Sequence, residues 1–258
     1  MMLEIIASQP DFLIIIEFIV FSILIALGGH RLLRPAINSY FNLNSSFGSA
    51  SNDSIRAAFV TIIAFSIATS LSNYNNILKI IDTEASQLNK LDQLLIRYAG
   101  KDSNLIRQNL LEYTESIVKD EWNQLSSGNR SEITQGKWMA LSRSIVKMSS
   151  SNDRESSLVN EIIKNFESIT ESRDSRVGSA RLKIPAFFGL LIGVLFLVKI
   201  LLFSCYEGNK EQNLSLTLEI MAFWPLIGVI FILNYPYSQS TRISSEPIQE
   251  TIQFIKSR

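Results

Sequence analysis

Four apolar runs separated by one long polar stretch constrain this chain more than any other feature. The runs are Phe12 to Leu27, Ala57 to Leu71, Ile184 to Cys205 and Leu214 to Tyr235. A hydrocarbon core of about 30 Å needs roughly 20 apolar residues in a helix. The third and fourth runs meet that length, and the first does if it extends to Leu33. The second is short unless its Ser and Thr residues are counted, which predicts that it faces protein or water rather than lipid. The expected fold class is all-α: four transmembrane helices, with a helical cytoplasmic domain inserted between the second and third spans.

Residues 1–75 are therefore expected to hold the first two transmembrane helices and a polar connecting loop. Residues 76–183 form the cytoplasmic helical domain and 184–236 the third and fourth transmembrane helices. Residues 237–258 form a cytoplasmic C-terminal tail with a short helix. The connecting loop, Asn38 to Ser54, is rich in Ser, Asn and Gly and predicts an irregular, solvent-exposed segment. The second run passes into polar sequence with no Gly or Pro before Gly100, so one helix is predicted to leave the bilayer unbroken.

Beyond Asn76 four soluble helices are predicted. The first runs to Ala99 with Ile77, Ile81, Leu88, Leu91, Leu95 and Tyr98 spaced by alternating fours and threes. Glu84 fills one slot of that heptad-like seam. Gly100 to Ser103 stops it and starts a helix running to about Leu125. A third helix, from about Ser131 to Met148, is predicted to bury Trp138, Leu141, Ile145 and Met148. The fourth, from about Arg154 towards Arg181, carries Leu158, Ile162, Phe166 and Ile169 on one face. Ile184-Pro185 suits the start of a helix, where proline's missing N–H has no partner to lose. Tyr206 to Asn213 reads as a hairpin loop, Trp224-Pro225 as a kink, and Ser245-Glu246-Pro247 as the start of the last helix.

Lys and Arg near the span ends set the orientation. Lys79, Lys90, Lys164, Arg173, Arg176, Arg181, Lys183, Arg242 and Lys256 share one side, against Arg31, Arg34, Arg56 and Lys210 on the other. By the positive-inside bias the helical domain and both termini are cytoplasmic. Around the first span alone the bias reverses, with Glu4 and Asp11 before it and Arg31 and Arg34 after it. No basic region precedes the first run, so it is expected to be retained rather than cleaved.

Net charge is zero, which gives no electrostatic case for nucleic acid. The single cysteine, Cys205, excludes an internal disulfide and a cysteine-based zinc site. His30 stands alone at a membrane boundary. Glu112, Glu115, Asp120 and Glu121 read as a solvated acidic face rather than a metal cluster. No Ser/His/Asp set, phosphate loop or metal spacing is present, so neither an enzyme nor a cofactor is expected.

On a helical projection, Ala58, Thr61, Phe65, Thr69, Ser72 and Asn76 fall within roughly an 80° sector at 100° per residue. Hydroxyls could line a path for ions, with Phe65 as a hydrophobic constriction. Small and hydroxyl residues also pack helices together in membranes, and that reading stands beside the first. Glu17 and Glu219 lie near the starts of their spans, and Lys199 late in the third. A Lys199–Glu219 contact across an antiparallel pair is expected as structural. Glu84 calls for a buried arginine such as Arg97 or Arg107, or acts as a polar specificity device within the seam.

Several motifs then occur in order. Glu84-Ala85-Ser86-Gln87-Leu88-Asn89-Lys90-Leu91 has the form Glu-Ala-x-x-Leu-x-x-Leu just after the second span. Tyr113 is followed by Val118 and Asp120-Glu121-Trp122, with Gly128 six residues on. Asn234-Tyr235-Pro236-Tyr237-Ser238 precedes Ser244-Ser245-Glu246-Pro247-Ile248. Together these resemble the bacterial bestrophin-like membrane proteins, over about Ala57 to the C-terminus. Asn234 stands where the family usually has Asp.

The resemblance implies a multi-pass protein of the cell inner membrane. By further analogy with true bestrophins it implies a homo-oligomeric ion channel, with a pentamer as one such assembly. Ions would pass along an axial pore lined by the second span. Ile77, Ile81, Glu84, Leu88, Leu91 and Leu95 would form the oligomer seam below the pore. The tail has only Glu246 and Glu250, no counterpart of the acidic calcium clasp of true bestrophins, so calcium gating is not expected. The expected partners are the lipid bilayer, further copies of the chain and inorganic ions. The alternative is a membrane-anchored sensory or scaffolding protein whose helical domain binds a partner.

Overall fold

The computed structural model describes residue 6 and residues 9–24, 45–150, 152–181, 183–205, 210–237 and 243–258. Its described elements are helices: α1 over residues 11–24, α2 Ser45–Tyr98, α3 Ser103–Ser116, α4 Trp122–Leu125, α5 Glu132–Val146, α6 Asp153–Ser179, α7 Ala186–Cys205, α8 Lys210–Leu233 and α9 Glu246–Ser257. A π turn, Ile117–Glu121, joins α3 to α4. The chain divides into two compact units, Met1–Ser72 with Lys183–Thr241, and Asn73–Leu182 with Arg242–Arg258.

The first unit collects the apolar runs. Phe59, Ile63, Ile192, Phe223 and Ile230 make its core. Phe59 meets Phe223 edge to face with ring centroids 4.8 Å apart, a favoured aromatic geometry. From α1, Phe18 lies against Trp224 and Phe231 of α8. The Asn234 Oδ1 atom accepts the Ile184 N–H at 2.7 Å, which ties the end of α8 to the segment entering α7. One helix, Asp53–Tyr98, is long and apolar enough to cross a membrane; Ala186–Leu202 and Thr217–Leu233 are shorter apolar helices among the described residues. Pro225 sits inside α8 without ending it.

The second unit is a helical bundle built on residues 73–98 of α2. Ile77, Ile81, Leu88, Leu91 and Leu95 are buried, each contributing about 1.5–3 kcal/mol by leaving water. The helix stops where Ala99 turns to positive φ. At Gly100 a side chain would strike the Tyr98 ring, whose hydroxyl donates to the Ser149 carbonyl at 2.6 Å. Ser131 caps α5 by accepting the Thr134 N–H, and Asn152 caps α6 by accepting the Glu155 N–H. From α9, Ile248 and Ile255 are buried and the Thr251 hydroxyl donates to the Ala85 carbonyl. The Trp122 indole N–H donates to the Ile243 carbonyl.

Three expectations are corrected. Residues 45–54, expected as irregular loop, are already helical as the start of α2. Once a helix is nucleated, each added residue costs little, so polar composition alone does not stop it. Lys210 to Asn213, expected in the hairpin loop, belong to α8. Met148, expected to be buried, is half-buried. His30, Arg31, Arg34 and Asn38 to Asn44 lie outside the described residues, as do Met1 to Glu4 and Tyr206 to Asn209.

Candidate functional site

The apolar half of α2 has two unlike faces. Phe59, Ile63, Ser66 and Ser70 are buried within the first unit. Ala58, Thr61, Phe65, Ser72 and Asn76 are exposed, and Thr69 is half-buried. Phe65 is 56% exposed although it is aromatic and lies in an apolar run. Its ring stacks on Phe188 at 5.5 Å. Thr61 returns its hydroxyl to the Ala57 carbonyl at 2.8 Å, so it keeps an oxygen lone pair to offer outward.

The residues expected to form an oligomer seam are buried inside the single chain. Ile77, Ile81, Glu84, Leu88, Leu91 and Leu95 are each at most 2% exposed within a single chain. They form the interior of the protomer's own bundle. A heptad stripe reports that a face is buried, and here the chain itself buries it.

Glu84 does meet a buried arginine, but the partner is Arg176. The Arg176 Nε donates to Glu84 Oε2 at 2.6 Å, and its Nη2 donates to Glu121 Oε2 at 2.7 Å. All three side chains are fully buried. Burial opposes the charge on Arg176, and the two carboxylates outweigh that and raise its pKa. Beside it, Arg173 donates to the Gln135 side chain at 2.7 Å and lies 3.8 Å from Glu121. Two guanidiniums thus balance two carboxylates. The π turn lets both Glu121 and Trp122 point inward after Tyr113 and Ile117, as an extra residue in one turn shifts the helical register. Burial also pushes the Tyr113 phenol well above its ordinary value, with Glu84 adding to the rise. Closed to solvent, this cluster can lock helices together but cannot reach a substrate.

Of the two other arginines considered for Glu84, Arg107 pairs with the buried Asp92 at 2.7 Å and Arg97 is exposed. The four acids of the polar face do not converge. Glu112 binds Lys137 at 2.6 Å, Glu115 binds Lys119 and Lys256, and Glu121 belongs to the buried cluster. Among the described residues no group of three metal-ligand side chains occurs.

In the first unit, Glu219 gathers two cations. Arg56 donates to both its carboxylate oxygens, at 2.8 and 3.1 Å, and the nearly buried Lys199 ammonium donates to Oε1. The Lys199–Glu219 contact was legible from the two positions in an antiparallel pair. Arg56 was not, since it precedes Glu219 by 163 residues. Glu17 is exposed on α1.

The motif residues Glu84, Tyr113, Glu121 and Trp122 thus meet around Arg176, and Asn234 closes the α7–α8 pair. A family model described as a Bestrophin-like domain matches residues 52–248. The chain is also similar in structure to a singly substituted bacterial bestrophin homologue from Klebsiella pneumoniae. That likeness has a TM-score of 0.67 at 12% identity and covers 95% of this chain and 99% of the other. No curated protein matches the chain. Helical architecture and family match together define the class, an all-helical membrane protein with the bestrophin fold. The chain belongs to the bestrophin-like family.

Proposed function

We propose that this protein is a homo-oligomeric ion channel of the inner membrane, with four spans, cytoplasmic termini and an axial pore lined by α2. Ala58, Thr61, Phe65, Thr69, Ser72 and Asn76 would face the ions, and Phe65 would form an apolar constriction that gates by dewetting. The observation that carries this reading is the two-faced burial of α2. The protomer packs Phe59, Ile63, Ser66 and Ser70 inside itself and leaves Ala58, Thr61, Phe65, Ser72 and Asn76 exposed, with Thr69 half-buried. Packing within the chain therefore does not account for that stripe. A pentamer is the assembly that the analogy with true bestrophins favours. Enzymatic activity has no support in the buried charge cluster, which no substrate can reach.

A second reading, a scaffold whose helical unit binds a partner, draws on Leu105, Ile133, Met139 and Val146, all at least half exposed. Planar-bilayer recordings of the purified protein separate the two. The channel predicts unitary currents that increase in Phe65→Ala. Absence of current, or currents indifferent to Phe65→Ala, would favour the scaffold.

A further inference from the structure

A partly open cavity of about 260 Å³ lies within the first unit, among α1, α2, α7 and α8. Its walls include Phe18, Ile192, Ile227 and Phe231, and Gly189 lies along it. At Gly189 an added Cβ would meet nothing within 4 Å, so real space adjoins that backbone. The Ser66 hydroxyl on the wall is already spent on the Ile62 carbonyl at 2.8 Å. Left empty, an apolar cavity of this size forfeits dispersion contacts along its lining.

One end differs from the rest. Ile184, Pro185 and Asn234 line it, at the start of α7 and just beyond the end of α8. The Asn234 oxygen is committed to the Ile184 N–H, which leaves its amide nitrogen as the group with hydrogen bonds to give. Lys183, exposed and next in sequence to Ile184, sets its ammonium 4.4 Å from the centre of the Tyr235 ring. Tyr235 in turn packs on the cavity residue Phe231 at 5.0 Å. An apolar slot with an amide in its wall and a cation one residue beyond its lining matches an anionic amphiphile.

We propose that this cavity holds one acyl chain of an anionic membrane lipid, with its head group against Lys183 and Asn234. In a bilayer the chain gains little from leaving other lipid tails, so the binding comes from filling the void and from the head-group contact. The inference rests on the membrane-embedded part of the functional reading above and is independent of conduction.

The test reconstitutes the full chain in vesicles of equal phosphatidylglycerol and phosphatidylcholine, extracts it in detergent, and counts retained lipid by native mass spectrometry. A single phosphatidylglycerol per protomer is expected, favoured over phosphatidylcholine by about fivefold, the weight of one lysine near an anionic surface. Gly189→Leu, which fills the slot, should bring retention to background while the protein elutes as wild type. Lys183→Gln, on an exposed side chain, should keep the lipid and lose the preference. Equal retention by wild type and Gly189→Leu, or none by either, overturns the proposal. So does Gly189→Cys shielded from maleimide equally in lipid-stripped and lipid-loaded protein, which would mean that a second copy closes the cavity. A chain that fails to float with the vesicles defeats the membrane reading itself. A silent channel that still retains the lipid defeats only conduction.

Discussion

Arg176 and Glu84, 92 residues apart, form a fully buried ion pair with Nε and Oε2 2.6 Å from each other. Such a pair repays its desolvation only when the remaining donors and acceptors are also engaged; Glu121 engages Nη2, while Arg176 Nη1 and Glu121 Oε1 have no hydrogen-bond partner. Arg176→Ala leaves Glu84 buried without its cation and Glu121 with Arg173 alone. A loss of about 3–5 kcal/mol is expected in the denaturation of detergent-purified protein. Arg176→Lys should recover little of it, because a compact ammonium cannot bridge both carboxylates as a planar fork does. A loss below about 1 kcal/mol, the scale of a surface pair, would show that the cluster is not what holds the helices.

The alkaline limb of stability follows from Tyr113. Burial raises its pKa above the ordinary 10.0, with Glu84 adding and Arg176 opposing. With the folded pKa above the unfolded one, stability is complete below about pH 10 and falls as the unfolded chain begins to ionise. Tyr113→Phe should flatten that fall and change stability at neutral pH little, because the hydroxyl is buried with no hydrogen-bond partner. Unfolding midpoints of the two proteins across that range provide the comparison.

At the acid end the sign reverses. Hydrogen bonds from Lys137 and Gln108 hold Glu112 below its ordinary 4.5, and those from Lys119 and Lys256 do the same for Glu115. Depressed carboxylates contribute stability above that ordinary value and lose it as pH falls through the folded one. Both groups are partly exposed, so the effect should be small and screened by salt. Lys137→Ala should weaken the acid dependence, and repeating the titration in high salt should narrow the difference between variant and wild type.

Glu219→Ala removes the shared counter-ion of Arg56 and Lys199. The exposed Arg56 can turn to water, while Lys199 stays nearly buried beside Phe223. A loss of about 2.5–3.5 kcal/mol is expected, the insertion cost of a lysine at a helix centre. Adding Lys199→Met should restore most of it. If the double variant melts no higher than Glu219→Ala, Lys199 is not the group that needs the carboxylate.

Cysteine substitution along α2 distinguishes its two faces. In reconstituted protein carrying Cys205→Ser, Thr61→Cys should react with a water-soluble thiosulfonate and alter the current. Ile63→Cys, buried in the first unit, should remain untouched. Equal reactivity at both positions would show that the helix does not present its Thr61 face to water.

Much of the helical order was legible because apolar periodicity and turn residues are local signals. Asn152 and Ser131 mark helix starts by their own hydrogen bonds, and Gly128, at φ 69°, marks a turn. Glu84 announced its need for a cation by interrupting an apolar stripe. Its partner lay beyond local reading, although one signal was present. Arg173 and Arg176 continue the inward face of α6 after Ile162 and Ile169, at spacings of three and four. Arginines on a core stripe are buried cations awaiting acids. The heptad face of α2 showed that something covers it, and sequence spacing does not distinguish a neighbour in the same chain from another copy. Arg56 and Glu219 each lie at the edge of an apolar run, and nothing local connects them.

The carboxylate of Glu219 also imposes an order on synthesis. It follows Arg56 by 163 residues and Lys199 by 20. Chains grow from the N-terminus at about 5–20 residues per second, so both cations exist before the group that neutralises them. Until Glu219 is made, Lys199 lacks the carboxylate it meets in the folded chain, so the close packing of α7 is expected to wait for α8.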